Sequence, residues 1–418
     1  MLALVDVNNF YVSCERLFNP KLINKAVVIL SNNDGCIISR SDEAKLIGIK
    51  MGQPLFKVKE LIRQHNVQVL SSNYPLYADL SSRVMRLISG FTNHQEVYSI
   101  DECFISLDEH KDPRNIAMVV KEKLWADLRM PVCVGIGPTK VLAKFGNHCA
   151  KKQKKWDGVF ATYLLSEACL NEMMDVFSVG EVWGVGDKLK QKLELINIKT
   201  VLDLKGSDVI SIKNTLNVNV GRIVHELNGI NCFPLEQVAP KKKQIITSRS
   251  FGKTVTDYPQ LVEAVTTFVV RATLKLRSQD TLCSKVSVFI SSSPFIRDSN
   301  YYHNLTTVGL ANPTSNTGLI LKGSLEGLRS IYKNNIAYVK CGVILSGLIN
   351  SENSQDNLWP VDDKRKGDLV FVMDKINNRF NGSTLRLGTQ PLYPTWGARQ
   401  LKKSPSYTTS WKELLVVS

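Results

Sequence analysis

The 418-residue chain lacks the features of a membrane, secreted or disulfide-stabilised protein. No apolar run approaches the ~18 residues that would span a bilayer. The first residues, Met1–Asp6, have no basic region and reach an acidic side chain too early for a secretory signal. The nine cysteines are odd in number, scattered and without a CxxC pair, which argues against a disulfide framework or a zinc site. We therefore expect a cytoplasmic protein with no membrane partner.

The sequence also lacks a repeat of fixed period and a long low-complexity segment. With 44% hydrophobic and 22% charged residues, it can bury real cores, and its length predicts two to four domains. Positive charge is in excess, because 53 Lys and Arg face 38 Asp and Glu, a net charge of +15. This balance favours a polyanionic partner, most simply nucleic acid. A basic surface that serves solubility alone is the alternative.

The first third of the chain alternates between strand-like and helix-like patterns. We predict strands at Leu2–Val7, Ala26–Leu30, Cys36–Arg40, Val67–Ser71, Glu96–Ile100, Cys103–Leu107 and Pro131–Gly137. We predict helices between them at Asn8–Phe18, Tyr77–Phe91 and Ile116–Leu128. If Ala26–Ser71 is an inserted lobe, the remaining order is β-α-β-β-α-β, which is the ferredoxin-like split arrangement.

The rest of the chain changes character more than once. Leu164–Asn228 has the pattern of an all-helical region, and Pro240–Lys243 is typical of a basic linker. Beyond the linker we predict a helix and two strands, at Tyr258–Arg277, Lys285–Ser291 and Ala337–Ser346. From about Asn350 the sequence is polar, and we expect it to be flexible until the apolar residues near Trp396 and Trp411.

Three acidic residues lie at the ends of predicted strands in the first region. Asp6 ends the first strand, and Asp101 and Glu102 lie between two others, so a split βαβ sheet brings the three to one edge. Carboxylates are the ligands of Mg²⁺, and two such ions ~4 Å apart stabilise phosphoryl transfer. Adjacent strand residues point to opposite faces, so Asp101 and Glu102 need a turn or bulge to share a site. Ordinary turn acids are the alternative.

Several long blocks, in order, resemble the Y-family of DNA polymerases, which copy damaged templates. The similarity is strongest to the UmuC-type subgroup, the catalytic subunit of DNA polymerase V and its plasmid-borne relatives. The blocks are Asp6–Glu15, Leu30–Pro54, Ser71–Met85, Tyr98–Glu102, Val134–Lys152, Val182–Gly186 and Ser248–Lys253.

The resemblance implies an α+β fold of the right-hand polymerase type, with a ferredoxin-like palm, small inserted fingers, a helical thumb and an α/β little finger. It places the palm at 1–25 and 76–165, the fingers at 26–75, the thumb at 166–236, a basic linker at 237–245, the little finger at 246–350 and a C-terminal tail at 351–418. The implied activity is error-prone translesion DNA synthesis without proofreading, in SOS mutagenesis and DNA repair.

The resemblance also implies roles for single residues of the reaction centre. Asp6, Asp101 and Glu102 would be catalytic and would hold two Mg²⁺ ions, together with the backbone carbonyl of Val7. Tyr11 would be the steric gate, whose ring leaves no room for a 2′-OH, with Phe10 beside it partly as core packing. Lys45 and Lys151 would bind the triphosphate of the incoming deoxynucleotide.

One departure from the wider family lies beside the predicted triphosphate site. Many relatives have Arg and Tyr where this chain has Lys45 and Asp42. Since Lys offers a point charge instead of a bidentate fork, we do not expect Asp42 to contact the nucleotide.

Two further regions are expected to bind DNA. Val182–Leu193 resembles a helix-hairpin-helix motif. Its Gly184, Gly186 and Lys188 would bind a DNA phosphate without recognising the base sequence. A glycine-rich turn that only joins two helices is the alternative. Arg249 and Ser250 open the segment that resembles the little finger, and would contact the template. An edge strand with a solvent-facing charge is the alternative there.

The resemblance implies protein partners as well: a dimer of the cleaved UmuD-type subunit, RecA and the sliding clamp, beside damaged primer-template DNA and deoxynucleoside triphosphates. Gln355, Leu358 and Trp359 would form a clamp-binding peptide, but Asp356 replaces its usual apolar residue, and a random tail is the alternative. Two other functions compete with the polymerase: a catalytically silent relative and another palm enzyme such as a nucleotide cyclase.

Overall fold

The residues described by the structure, a computed structural model, form two compact units. The whole chain is described except residues 239, 296–300, 354–363, 381, 383 and 415–418, and the side chains of 353 and 364–368. The first unit comprises Met1–Ser31, Gly35–Ala239 and Lys402–Ser418, and the second comprises Asn32–Asp34 and Pro240–Leu401. In this described part of the chain, no helix is both long and apolar enough to cross a membrane.

The first unit alternates strands and helices over its first half and is helical over its second. Its strands are β1 (Leu2–Val7), β2 (Val27–Leu30), β3 (Ile37–Arg40), β4 (Gln68–Ser71), β5 (Gln95–Val97), β6 (Glu102–Ser106), β7 (Val132–Gly137) and β8 (Val159–Ala161). Its helices are α1 (Phe10–Phe18), α2 (Asp42–Leu46), α3 (Lys59–Gln64), α4 (Tyr74–Ser89), α5 (Pro113–Leu128), α6 (Lys140–Lys152), α7 (Glu167–Val176), α8 (Asp187–Leu195), α9 (Val201–Lys205), α10 (Val209–Thr215) and α11 (Val218–Leu227).

The main sheet of this unit has the strand order β5-β6-β1-β7-β8 and is antiparallel except at β7–β8. This is the predicted ferredoxin-like arrangement. The strand β1 is apolar on both faces because helices cover both. Val5 and Val7 pack into a core with α1, α4 and α5, whereas Leu4 packs against Phe104 and against Ala143 of α6. Even-numbered residues of β1 and β6 therefore face α6, and odd-numbered residues face the other core.

The inserted lobe has its own sheet, in the order β3-β2-β4. As predicted, β2 and β3 pair antiparallel, whereas β4 pairs parallel to β2. Val28, Leu30, Ile37 and Ile49 are buried in a small core separate from that of the main sheet. The helices α7 to α11 pack around a third core, which includes residues of α6.

The second unit is built on long antiparallel strands in the order β11-β10-β12-β9, with two helices packed on the sheet. Its elements are β9 (Ile245–Val255), α12 (Tyr258–Arg277), β10 (Thr281–Ser292), β11 (His303–Thr314), α13 (Thr317–Ile331), β12 (Tyr338–Asn350) and α14 (Lys364–Arg379). The helix predicted at Tyr258–Arg277 is confirmed. The sequence analysis did not predict β11 and α13.

The expectation that the chain is flexible between about Asn350 and the apolar residues near Trp396 is wrong for the described residues of α14. The helix α14 is held by Asp374, which accepts hydrogen bonds from Arg277 at 2.6 and 3.0 Å. Trp396 is 5% exposed, and its ring lies 5.9 Å from that of Phe251 and 5.6 Å from that of Phe268. Burying such a large ring anchors this part of the chain in the core of the second unit.

Candidate active site

Seven of the predicted site residues line one cleft of about 320 Å³ in the first unit. They are Asp6, Val7, Phe10, Tyr11, Lys45, Asp101 and Lys151. A neighbouring cleft of about 240 Å³ is lined by Asp6, Lys151 and Glu102, and by Trp183 and other residues. Asp6 and Lys151 therefore face both clefts.

Strand register brings two of the carboxylates side by side. Asp6 of β1 is the partner of Glu102 of β6, and both have even numbers, so they face α6. That helix supplies a lysine to each: Lys151 Nζ lies 2.6 Å from Asp6 Oδ1, and Lys144 Nζ lies 3.0 and 3.1 Å from the two Glu102 oxygens. The sheet edge thus holds two neighbouring carboxylate–lysine ion pairs.

A serine turn sets the third carboxylate apart from its neighbour. Ser99 Oγ accepts hydrogen bonds from the backbone N–H groups of Asp101 and Glu102, and it donates to Asp101 Oδ1 at 2.6 Å. The Asp101 carbonyl accepts from Val7 N at 3.0 Å, which places the residue beside the end of β1. Asp101 therefore lines the first cleft and Glu102 the second, with Asp6 between them.

The electrostatics of Asp6 reflect this crowding. Burial raises its pKa to about 6; Lys151 acts in the opposite direction, and the carboxylates of Glu102 and Asp101 add to the rise. Three oxygen donors that repel one another are chemically suited to a hard divalent cation. Among the described residues, however, no three acidic, histidine or cysteine side chains are arranged as a metal cluster. A cation bound there would share these carboxylates with the contacts of Lys151, Lys144 and Ser99.

Tyr11 lies on an aromatic support. Its ring stacks on that of Tyr77 of α4, with centroids 4.5 Å apart and planes 15° apart, and meets the edge of Tyr74 at 6.1 Å. Phe10 is buried in the core below, 5.7 Å from Tyr11. The two aromatic residues thus divide their roles: Phe10 packs in the core, while Tyr11 remains half-buried and faces the cleft.

Lys45 reaches the cleft from α2 and is paired there. Its Nζ lies 2.7 Å from Asp42 Oδ1, which also accepts from Asn9 Nδ2 at 3.1 Å. Burial acts to raise the pKa of Asp42, but the hydrogen bonds from Lys45 and Asn9 outweigh it and lower the pKa. Asp42 is therefore a charged partner that orients Lys45.

Two cations of the site were not found by the sequence analysis. Arg40 lines the first cleft from β3, where its alternation with the buried Ile37 and Ser39 was the available signal. Lys144 holds Glu102 and also lies over the rings of Tyr98 and Trp183, at 4.4 and 5.2 Å from their centroids. Trp183 Nε1 donates to the Tyr98 hydroxyl at 3.1 Å, which closes this aromatic enclosure.

The predicted phosphate-binding turn lies at the start of α8. Gly184 has φ 89°, in the region that favours glycine, and an added Cβ would lie 2.9 Å from Ile223 Cδ1. Gly186 is the N-cap of α8, and Lys188 is exposed in its first turn. The N-terminus of this nine-residue helix, with an exposed lysine in its first turn, is suited to binding a phosphate.

The predicted DNA contacts of the second unit lie on an edge strand. Arg249 and Ser250 are exposed on β9, opposite Cys341 and Lys340 of β12. Burial lowers the pKa of Arg271, and the charge of Arg249 lowers it further. The charges of these two guanidinium groups therefore interact unfavourably. The predicted clamp peptide, with Gln355, Leu358 and Trp359, lies outside the described residues.

The chain matches known protein families and curated proteins over most of its length. The model of the impB/mucB/samB family matches residues 5–148, that of the family's C-terminal domain matches 242–358, and a domain of unknown function (DUF4113) matches 368–417. Protein UmuC of Salmonella typhimurium is 39% identical and protein MucB of Escherichia coli 38% identical, each over all of both chains. DNA polymerase IV of Oceanobacillus iheyensis is 28% identical over 68% of each chain.

Solved structures agree on the fold. A Y-family DNA polymerase chimera of Dbh and Dpo4 matches with a TM-score of 0.64 and 18% identity, covering 84% of this chain and 99% of that one. An insertion ternary complex of Dbh DNA polymerase matches over the same shares with a TM-score of 0.56. The predicted α+β polymerase fold is confirmed. With relatives this similar over its full length, the chain belongs to the impB/mucB/samB family, as a UmuC-type member of the Y-family of DNA polymerases.

Proposed function

We propose that this protein is an error-prone translesion DNA polymerase of SOS mutagenesis and DNA repair. It adds deoxynucleotides to a primer 3′-OH as a template directs, releases pyrophosphate and does not proofread. One observation supports the proposal most strongly. Carboxylates of the sheet edge, Asp6 and Asp101, line the same cleft as the aromatic ring of Tyr11. An incoming nucleotide needs both at once, the carboxylates for its metal-bound triphosphate and the ring for its sugar.

We assign the palm to 1–25 and 76–165, the fingers to 26–75 and the thumb to 166–236. The basic linker would be 237–245, the little finger 246–350 and the tail 351–418. The support is that the main sheet, the small lobe and the helices after β8 have separate hydrophobic cores.

In this proposal the two clefts have different occupants. The first, with Tyr11, Lys45 and Asp101, takes the incoming nucleotide, and the second, with Glu102 and Trp183, takes the primer end. Asp6 faces both clefts, so its carboxylate would lie between the attacking primer 3′-OH and the phosphate that it attacks. Asp6, Asp101, Glu102 and the Val7 carbonyl would hold two Mg²⁺ ions, which when bound offset charge on the attacking and leaving oxygens.

The protein's own side chains do the selection and positioning. The Tyr11 ring, supported by Tyr77, excludes a 2′-OH by occupying its place. Lys45 and Lys151 offset charge on the phosphates, and Arg40 adds a guanidinium to the same cleft. Lys144 orients Glu102 from the second cleft.

The proposed partners follow from the same assignment. Gly184, Gly186 and Lys188 bind a DNA phosphate at the start of α8, and Arg249 and Ser250 contact the template. A UmuD-type subunit dimer in its cleaved form, RecA and the sliding clamp are proposed from the family, with a cytoplasmic location to match. The net charge of +15 supports the DNA surface.

A primer-extension assay tests the function and separates it from its rivals. The full chain, with its proposed partner proteins, is given a labelled primer on undamaged templates and on templates with an abasic site. We expect extension with the complementary nucleotide and no shortening of a mismatched 3′ end. A silent relative extends nothing, and a cyclase consumes nucleotide without lengthening the primer. Either result would refute the proposal.

A further inference from the structure

A short segment near the C-terminus, residues 402–407, belongs to the first unit and packs beside β4, α1 and α4; we call it the clasp. It falls within the match to the domain of unknown function. Ser71 N donates to the Lys402 carbonyl at 2.9 Å, and Lys402 N donates to Ser71 Oγ at 3.0 Å. Since β4 is at the edge of its sheet, the clasp pairs with an otherwise open strand end.

Side chains fasten the clasp at two further points. The buried Asn73 donates through Nδ2 to Ser404 Oγ at 2.9 Å, and to the carbonyls of Ser404 and Pro405 at 3.2 and 3.1 Å. Asn73 is the N-cap of α4, yet its side chain makes no capping hydrogen bond, because it is used for the clasp. Tyr407 stacks on Phe18 of α1, with centroids 4.8 Å apart.

The clasp also reaches a buried carboxylate. Ser404 Oγ donates to Glu15 Oε1 at 3.0 Å, and the same oxygen accepts from the Tyr77 hydroxyl at 2.7 Å. Glu15 is 1% exposed, so burial raises its pKa, and the hydrogen bonds from Tyr77 and Ser404 oppose that rise. A carboxyl group this buried depends on its hydrogen-bond donors, and the clasp supplies one of them.

The other donor is the support of Tyr11. Tyr77 is held at its hydroxyl by Glu15 and stacks through its ring on Tyr11. A continuous series of contacts therefore runs from Ser404 through Glu15 and Tyr77 to Tyr11. Steric exclusion of one hydroxyl group depends on the position of a ring to within a fraction of an ångström.

We propose that the clasp is a positioning element for sugar discrimination, in which Ser404, through Glu15 and Tyr77, holds Tyr11 against ribonucleoside triphosphates. The inference rests on the proposed role of Tyr11 and extends it to the C-terminal segment. Neither Ser404 nor Glu15 lines the cleft, so they act through Tyr77.

Single-nucleotide insertion by the full-length protein, in the assembly where the wild type is active, tests the clasp. The measured quantity is the ratio of kcat/KM for a deoxynucleotide to that for its ribonucleotide. We expect Ser404→Ala to lower this ratio about three- to tenfold, mainly through a lower KM for the ribonucleotide, since one hydrogen bond to a buried carboxyl group is lost. Deoxynucleotide insertion should stay within about twofold of wild type, as the lost bond is remote from the reacting atoms.

Two control variants accompany Ser404→Ala. Ser404→Thr keeps the hydroxyl. Ser410→Ala removes a hydroxyl three residues beyond the clasp, from a side chain that makes no capping hydrogen bond. Both should retain the wild-type ratio. If Ser404→Ala loses deoxynucleotide insertion altogether, Tyr407→Ala takes its place, because it loosens the clasp without touching Glu15.

Tyr11→Ala and hydrogen exchange separate the two proposals. Amide exchange in peptides covering α1 and the start of α4 should be faster in Ser404→Ala, with peptides of β7 unchanged; equal exchange in α1 and α4 would refute the contact. An unchanged ratio in Ser404→Ala, where Tyr11→Ala relaxes selection, would refute the clasp's role and leave the gate standing. If Tyr11→Ala itself keeps full selection, the gate and the clasp's role both fail.

Discussion

Gly135 tests whether the packing of α6 on the sheet positions the reaction centre. In β7, an added Cβ at this residue would lie 1.9 Å from Asn147 N and 2.2 Å from the Ala143 carbonyl oxygen, both backbone atoms of α6. An ordinary contact needs about 3.4 Å, so Gly135→Ala forces the helix away by roughly 1.5 Å. The same helix carries Lys144 and Lys151, whose contacts with Glu102 and Asp6 would be lost.

Because the clash is with backbone, the cost should reach the upper end of overpacking, about 2–3 kcal/mol of the free energy of unfolding. A shift of that size at the site should lower kcat/KM for insertion about 100-fold. Urea unfolding and single-nucleotide insertion measure the two effects. Gly309→Ala, in β11 with nothing within 4 Å of the added Cβ, is the matched control and should change stability by less than about 0.5 kcal/mol. Wild-type stability and activity in Gly135→Ala would show that the packing of α6 on β7 does not position the site.

Three further predictions concern the nucleotide and the tail. Tyr11→Ala should keep deoxynucleotide insertion but admit ribonucleotides, measured with ribonucleoside triphosphates; unchanged selection would place the gate elsewhere. Lys45→Ala should raise the KM for the incoming nucleotide about tenfold or more, with Lys45→Arg recovering part of it, because a charge-assisted contact is lost. An unchanged KM would remove Lys45 from the site. Replacing Leu358 and Trp359 with Ala should abolish stimulation by the sliding clamp and spare distributive synthesis, because two apolar anchors would contribute roughly 3–5 kcal/mol if the clamp buried them fully. Stimulation that persists would assign the contact to another surface.

The main sheet was predictable because its strands are short apolar runs with clear turns between them. Leu2–Val7 and Tyr258–Arg277 have the predicted bounds, since one is a fully buried strand and the other carries a continuous apolar stripe. By contrast, β11 was missed: its residues, HNLTTVGLANPT, are mostly small or polar and half-exposed, so its period is weak. It is a strand because β10 pairs with it, and that is a tertiary effect.

The site shows the same division. The convergence of Asp6, Asp101 and Glu102 could be predicted, because neighbouring strands of a split sheet place them at one edge. The role of Lys144 could not be predicted, since its contact with Glu102 depends on how α6 crosses the sheet. The order of α14 was also missed, because its Asp374 is held by Arg277, 97 positions earlier in the chain, and no local pattern signals that contact.

We propose that the acidic sheet edge performs nucleotidyl transfer, and the variant Asp101→Ala is the sharpest test of this role. Asp101 lies in a turn at the cleft and outside the hydrophobic cores, so its loss should leave unfolding and DNA affinity nearly unchanged. Primer extension should fall by at least about 1000-fold, because a carboxylate that would hold Mg²⁺ at the reacting phosphates is gone. Extension and DNA binding are measured on the same folded preparation. Loss of extension with DNA binding retained is the predicted result, and substantial extension by the folded variant would contradict the claim.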